Sequence, residues 1–377
     1  MHPPAAPMIQ KPAPAAIAAL TLLWTTLTFA SSLGLGETEI LHVFETSDGL
    51  IPSPEGIAFD DNGNAYLSLR IFDGRQHLEN RLLKLSSAGK LSRLANFGPA
   101  PPGAKGILGL ATDHENNLYA AFASGDKNHG VWKVNRNGEK QRLYGSEKIN
   151  VPNALTFDQL GNLYVTDSFP KAGEGPGLVW RYTRGSNRFQ IWASSPLLAP
   201  DPINNPLSPP PPAPPVEAPG VNGIVFVPPN SIYVANTEKS LILRIEVGPN
   251  GNAGPVQILA GSYPPLGPPG QLFSPDGLTA DQEGNLYTVN PPCGWTGIPQ
   301  SAVVKINATT GQISGLTPVL TEPPNDFDFP TSLAFSARNQ DRKHLFVIGI
   351  GGAVYGLPGS GAKLTKVGLG APGSPKQ

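Results

Sequence analysis

The sequence predicts an all-β protein, a six-bladed β-propeller of four-stranded antiparallel blades around a central channel. Two observations predict it. A unit of strand, tight turn and Tyr- or Phe-bearing strand recurs six times along the 377 residues. Gly and Pro number 43 each, a density of breakers that opposes long helices and suits short strands joined by turns.

The elements follow in chain order. Lys11 is the last charge before Glu37, and between them AAIAALTLLWTTLTFA (residues 15–30) is an apolar run of signal-peptide length, with Thr28 and Ala30 as small residues before a cleavage site. An uncleaved anchor is the alternative, because the uncharged stretch approaches spanning length. Residues 1–36 are therefore expected to be a signal peptide or N-terminal anchor, 37–370 the propeller, and 371–377 a disordered tail. The propeller is expected outside the cytoplasm: periplasmic, secreted, or held to a membrane by that segment alone.

The repeat is clearest in SPEGIAFDDNGNAYLSL (53–69), VPNALTFDQLGNLYVTD (151–167), GVNGIVFVPPNSIYVAN (220–236) and SPDGLTADQEGNLYTVN (274–290). Aligned on the residue before the first strand, the six units give Glu55, Leu108, Asn153, Asn222, Asp276 and Thr331, at intervals of 53, 45, 69, 54 and 55 residues. The long interval holds PLLAPDPINNPLSPPPPAPPVEAP (196–219), 24 residues with 11 prolines. It reads as an extended loop insertion outside the core, and its removal restores a 45-residue interval. Third strands follow as NRLLKLS, GVWKVNR, GLVWRYT, SLILRIEV, SAVVKIN and GGAVYGL, and fourth strands as KLSRLANF, EKQRLYGS, NRFQIWAS and PVQILAGS. Four strands in about 45 residues is the period of a propeller blade. Either TEILHVFET (38–46) or KLTKVGL (363–369) is expected to supply the last blade's outer strand, since an uncovered edge invites aggregation.

Composition excludes some functions. Lys and Arg total 27 against 28 Asp and Glu, so no nucleic-acid partner is indicated. The single cysteine, Cys293, cannot form an internal disulfide and reads as a loop thiol. A monomer is expected.

In a propeller the first strand of each blade lines the channel, so residues just before it converge on one axis. Here Glu55, Asn153, Asn222 and Asp276 would bring two carboxylates and two amides to the channel mouth. Two facing carboxylates repel in a low-dielectric site, and a divalent cation resolves that conflict. Oxygen donors suit Ca2+, with another divalent cation as the alternative. The absence of His and Cys at these positions argues against zinc. The competing reading is that PEG, VNG and PDG only shape turns. Asp60, Asp113, Asp158 and Asp281, which recur in the first hairpin of most blades, are read as turn residues.

These motifs resemble the regucalcin/gluconolactonase/luciferin-regenerating-enzyme superfamily, whose wider relatives include the squid-type diisopropyl fluorophosphatase, Drp-type lactonases and paraoxonases. The resemblance spans roughly residues 40–357. It rests on PEG placing Glu55, PNA placing Asn153, VNG placing Asn222 and PDG placing Asp276, in the first, third, fourth and fifth blades. It implies a calcium-dependent six-bladed propeller that hydrolyses a lactone or related ester, with Glu55, Asn153, Asn222 and Asp276 as metal ligands. Asp276 would be general base or nucleophile, and Asn153 a metal ligand or substrate-orienting group. Trp295, in an entrance loop, could pack on a substrate acyl chain. There are departures. Val151 stands where sugar-lactone members carry an Arg, and Ala154 where Gly is commoner. His114 and His129 are read as surface residues rather than an accessory catalytic His. The alternatives are a non-catalytic NHL-like binding propeller, which need not keep the four-ligand set, and a metal-free strictosidine-synthase-like propeller.

Overall fold

The computed structural model describes residues 33–73, 77–169, 176–200, 219–262, 272–291, 302–317, 325–337, 341, 343–355 and 361–369. Residues 1–32 of the proposed leader, the tail, most of the proline-rich insertion, Cys293 and Trp295 lie outside them. The described residues form six four-stranded antiparallel sheets. Blade one is β2 (Ile51–Phe59), β3 (Ala65–Phe72), β4 (His77–Leu85) and β5 (Leu91–Gly98). Blade two is β6 (Gly106–Thr112), β7 (Leu118–Ala123), β8 (Gly130–Val134) and β9 (Lys140–Arg142). Blade three is β10 (Pro152–Phe157), β11 (Leu163–Asp167), β12 (Gly177–Tyr182) and β13 (Phe189–Ser195). Blade four is β14 (Val221–Val227), β15 (Ser231–Asn236), β16 (Leu241–Glu246) and β17 (Gln257–Gly261). Blade five is β18 (Leu278–Ala280), β19 (Leu286–Asn290), β20 (Ala302–Ile306) and β21 (Ile313–Gly315). Blade six is β22 (Pro330–Phe335), β23 (His344–Gly349) and β24 (Ala362–Gly368), completed on its outer edge by β1 (Thr38–Phe44).

The ring is therefore closed by the N-terminal strand, which runs antiparallel to β24 from Thr38↔Val367 to Phe44↔Ala362. KLTKVGL is the third strand of that blade, not an outer one. The described part of GGAVYGL, expected as the third strand, is not a strand: Gly352–Tyr355 is a turn of 3-10 helix. Both lysines of KLTKVGL are buried and paired, Lys363 with Asp328 at 2.6 Å and Lys366 with Glu39 at 3.2 Å.

Each sheet is packed on both faces, so strands such as LYAAFA and SIYVAN are buried along their whole length, while the outer β9 is exposed throughout. The core lies between neighbouring blades as six apolar clusters, which contain aromatic contacts such as Phe59–Phe346 at 4.9 Å between blades one and six and Tyr119–Phe157 at 4.9 Å between blades two and three. The start of the proline-rich insertion belongs to this core. Leu198 is fully buried against blade four, and its carbonyl accepts from Val221 N at 3.1 Å.

The recurrent hairpin acids are turn residues with a defined job. Asp60 Oδ1 accepts from Asn62 N (3.0 Å) and Asn64 N (2.8 Å), and Oδ2 accepts from the Asn64 amide (2.7 Å) and the Tyr66 hydroxyl (3.0 Å). Asp113, Asp158 and Asp281 collect the equivalent bonds. Across the ladder, Lys84, Lys133, Arg181 and Lys305 lie over the four tyrosine rings. No helix among the described residues is long and apolar enough to cross a membrane.

Candidate active site at the channel mouth

The inner strands carry a β-bulge at the aligned position. The register shifts between Pro54 and Ile57 in β2, Ile107 and Leu110 in β6, Pro152 and Leu155 in β10, Val221 and Ile224 in β14, and Pro330 and Ser332 in β22. Glu55, Leu108, Asn153, Asn222 and Thr331 thus sit inside their strands, within the bulges, rather than ahead of them; Asp276 precedes β18. A bulge re-aims a side chain out of the pleat.

At four of the six aligned positions the next residue is a glycine set by contact with the next blade. A Cβ on Gly56 would lie 2.6 Å from the Leu108 carbonyl oxygen, and one on Gly277 2.8 Å from that of Thr331. Gly109 and Gly223 meet the carbonyls of Asn153 and Asp276 in the same way. Blade three carries Ala154 instead, and there a hydroxyl spans the junction. Thr166 Oγ1 accepts from Ala154 N (3.0 Å) and donates to the Asn222 carbonyl (2.8 Å). Similar bridges run from Ser68 to the Leu108 carbonyl (2.6 Å), from Thr237 to the Pro275 carbonyl (2.8 Å) and from Thr331 to the Glu55 carbonyl (3.0 Å). The mouth is consequently a rigid ring of backbone on which side chains are hung.

On this ring the four predicted residues come together. The Asn153 amide donates to Asn222 Oδ1 at 2.8 Å and to Ser168 Oγ at 2.9 Å. The Asn222 amide donates to Thr237 Oγ1 at 3.1 Å and also reaches the Asp276 carboxylate. Burial first, and then the charge of Glu55, push the Asp276 carboxyl well above its ordinary range, while Arg70 and the Asn222 hydrogen bond oppose the shift. Glu55 is ion-paired with Arg70, which also donates to Ser53 Oγ at 3.0 Å. Below the mouth a channel cavity of about 140 Å³ runs between the inner strands of all six blades, with Thr112, Thr156, Thr279 and Ser332 among its lining residues.

Arg70, Ser168 and Thr237 were missed by sequence reasoning. Arg70 left a signal: it is the one charged residue of the apolar strand AYLSLRIF, and it pairs in register with Ser53, two residues before Glu55. His129 is not a surface residue. It is buried and pinned between Gly125 N (3.0 Å) and the Ile149 carbonyl (2.7 Å), a structural role. His114 is exposed in its hairpin, as expected.

The donor set fits a hard divalent cation. Among the described residues no three His, Cys, Asp or Glu side chains cluster as a metal site, so the available set is two carboxylates plus two amides. Arg70 offsets only one of the two carboxylates. The residual charge falls on Asp276, whose protonation is favoured in the absence of a further cation.

The fold and mouth together define a six-bladed propeller with a polar, acid-bearing site on its axis. Among solved structures the chain is similar to a gluconolactonase from Xanthomonas campestris (TM-score 0.57, 19% identity, covering 91% of this chain and 94% of that one). It is also similar to a putative gluconolactonase (TM-score 0.56, 15% identity, 90% and 93%) and to a luciferin-regenerating enzyme (TM-score 0.56, 17% identity, 86% and 95%). The chain thus has the fold of the gluconolactonase-like propellers. An auxiliary nutrient binding protein from Bacteroides ovatus shares that fold (TM-score 0.56, 11% identity, 87% and 76%). No protein-family model and no curated protein matches the chain.

Proposed function

We propose that the protein is a hydrolase of a lactone or related ester, that its site is the channel mouth, and that Glu55, Asn153, Asn222 and Asp276 hold a divalent cation, Ca2+ in the first instance. The observation that carries the reading is the Asp276 carboxylate, crowded by Glu55 and reached by the Asn222 amide at the axis of the ring. A carboxylate beside the substrate carbonyl is placed to take a proton from water and return it. What a bound cation supplies there is Lewis-acid polarisation of the ester carbonyl.

The chain's own residues do the rest. Asp276 takes the proton of an attacking water, or attacks the carbonyl itself. Asn153, fixed by Ser168 and Asn222, orients the substrate oxygen. Arg70 holds Glu55 in place and limits the negative charge facing Asp276. With residues 1–36 as an export signal or anchor, the enzyme would work outside the cytoplasm.

A binding propeller is the second reading, favoured by the nutrient binding protein of the same fold and TM-score; fold does not fix function. The test is calcium titration by calorimetry of the wild type and of Glu55→Ala/Asp276→Ala, followed by turnover of a panel of lactones and aryl esters. Binding lost in the double variant, with turnover lost alongside, is the expected result. Turnover absent from the wild type across the panel would favour the binding reading.

A further inference from the structure

Blade six places Thr331, neither acid nor amide, at the mouth, yet this residue touches both blades that carry an acid. The Thr331 hydroxyl donates to the Glu55 carbonyl at 3.0 Å. The Thr331 carbonyl accepts from Gly277 N at 2.8 Å, one residue past Asp276. A Cβ on Gly277 would lie 2.6 Å from Ser332 Cα, so that junction has no slack. The place of Thr331 therefore sets how far apart the backbones bearing the two carboxylates stand.

What sets Thr331 is the turn that leads into β22. Asp328 (φ 41°) and Phe329 (φ 61°) are consecutive left-handed residues, and neither is glycine. A bulky residue in that region is an outlier, and such a conformation persists only where its surroundings over-determine it. Here they do. Gly351 N donates to the Asp328 carbonyl at 2.8 Å, and Ile350 N to the Phe329 carbonyl at 3.0 Å. The Asn325 side-chain oxygen accepts from Phe327 N (3.0 Å) and Asp328 N (2.9 Å). The Asp328 carboxylate, fully buried, accepts from Asn325 N at 2.8 Å and from the Lys363 ammonium at 2.6 Å. The same ammonium donates to the Asn325 carbonyl. Lys363 thus reaches the turn from β24 and ties its two ends, Asn325 and Asp328, together.

We propose that Lys363 is a positioning residue for the mouth: by holding the Asp328–Phe329 turn it fixes Thr331, and Thr331 fixes the spacing of Glu55 and Asp276. Its effect on calcium rests on the proposed metal site; the backbone positioning stands without it. Lys363 touches neither substrate nor cation and acts only through the turn.

The test uses the full chain and the double variant Lys363→Met/Asp328→Asn. That variant strands no buried charge and keeps at position 328 a residue that visits the left-handed region. In the metal-free protein, hydrogen exchange at the Gly277 amide is expected to quicken about tenfold, while the amides of β11 in blade three keep the wild-type rate. Calcium binding by calorimetry should weaken about tenfold. Thr331→Val removes the hydroxyl at the last link. It should weaken calcium binding by a similar factor while exchange at the Gly351 amide, inside the turn, stays unchanged. Gly277 exchange that is unaltered in the double variant, or quickened no more than that of β11, overturns the positioning role. So does undiminished calcium affinity in Thr331→Val. A wild type that binds no calcium, with Gly277 exchange that still responds to Lys363, leaves the positioning role standing and counts against the metal reading.

Discussion

Asp276 and Arg70 carry opposite consequences of being at the same mouth. The Asp276 carboxyl is raised from its ordinary value by burial and by Glu55. An acid whose folded value lies above its unfolded one holds its proton better in the folded state. Its contribution to stability is complete below the unfolded value and is lost as pH rises through the folded one. Asp276→Asn should therefore raise the melting temperature of the chelator-treated protein at pH 7, and the gain should shrink as pH falls toward 4; a constant difference across that range would contradict the crowding. Arg70 behaves the other way. Removing it leaves Glu55 partly buried and without its ion pair. Breaking a fully buried pair costs about 3–5 kcal/mol, and partial solvent access reduces that to roughly 1–3 kcal/mol. Arg70→Gln should thus lower the stability of the metal-free protein while tightening calcium binding, because the site loses its internal cation. Chemical denaturation and calorimetry of the same variant read the two effects separately.

The inner-strand junctions explain why an acidic or amide residue stands before a glycine. The side chain is the site, and the glycine is the room the neighbouring blade's backbone needs. Gly223→Ala places a Cβ against the Asp276 carbonyl and 2.6 Å from Leu278 N. Backbone cannot retreat as a flexible side chain can, so a cost of about 1–3 kcal/mol is expected. The reverse change at blade three, Ala154→Gly, should cost only about 0.5–1 kcal/mol, the ordinary entropic penalty, because Thr166 already sets that junction. Urea denaturation of the two variants checks the contrast. This pattern made the four mouth residues legible in the sequence, since each precedes a short spacer to an apolar strand at a blade-length interval. Ser168 and Thr237 were not legible, because they reach the mouth from the turns beyond second strands and no local motif marks them; Arg70 was legible only as a lone charge in the apolar strand AYLSLRIF, with nothing local to show that it meets Glu55. In blade six the sequence left two candidates for the outer strand, and the pairing of Lys363 with Asp328 and of Lys366 with Glu39 goes with KLTKVGL as the interior one.

At the scale of the whole molecule, stability depends on one strand joining the two ends of the ring. β1 covers the edge of β24, and its Leu41 and Phe44 enter the cluster shared by blades six and one. Burying two such side chains contributes about 3–6 kcal/mol, a large share of the roughly 5–15 kcal/mol by which a folded domain exceeds its unfolded state. Without β1, blade six would end on β24 with an open row of backbone donors and acceptors. The site would feel this loss at a distance, because the Thr331 hydroxyl of blade six holds the carbonyl of Glu55 in blade one across that junction. A chain beginning at residue 33 should keep its melting temperature and calcium affinity, whereas one beginning at residue 46 should melt lower, associate on size exclusion and bind calcium weakly. If the shorter chain stayed monomeric and bound calcium as tightly as the longer one, the closure of the ring would be irrelevant to the mouth. The N-terminal strand would then be an accessory rather than the element that holds the six inner strands to one axis.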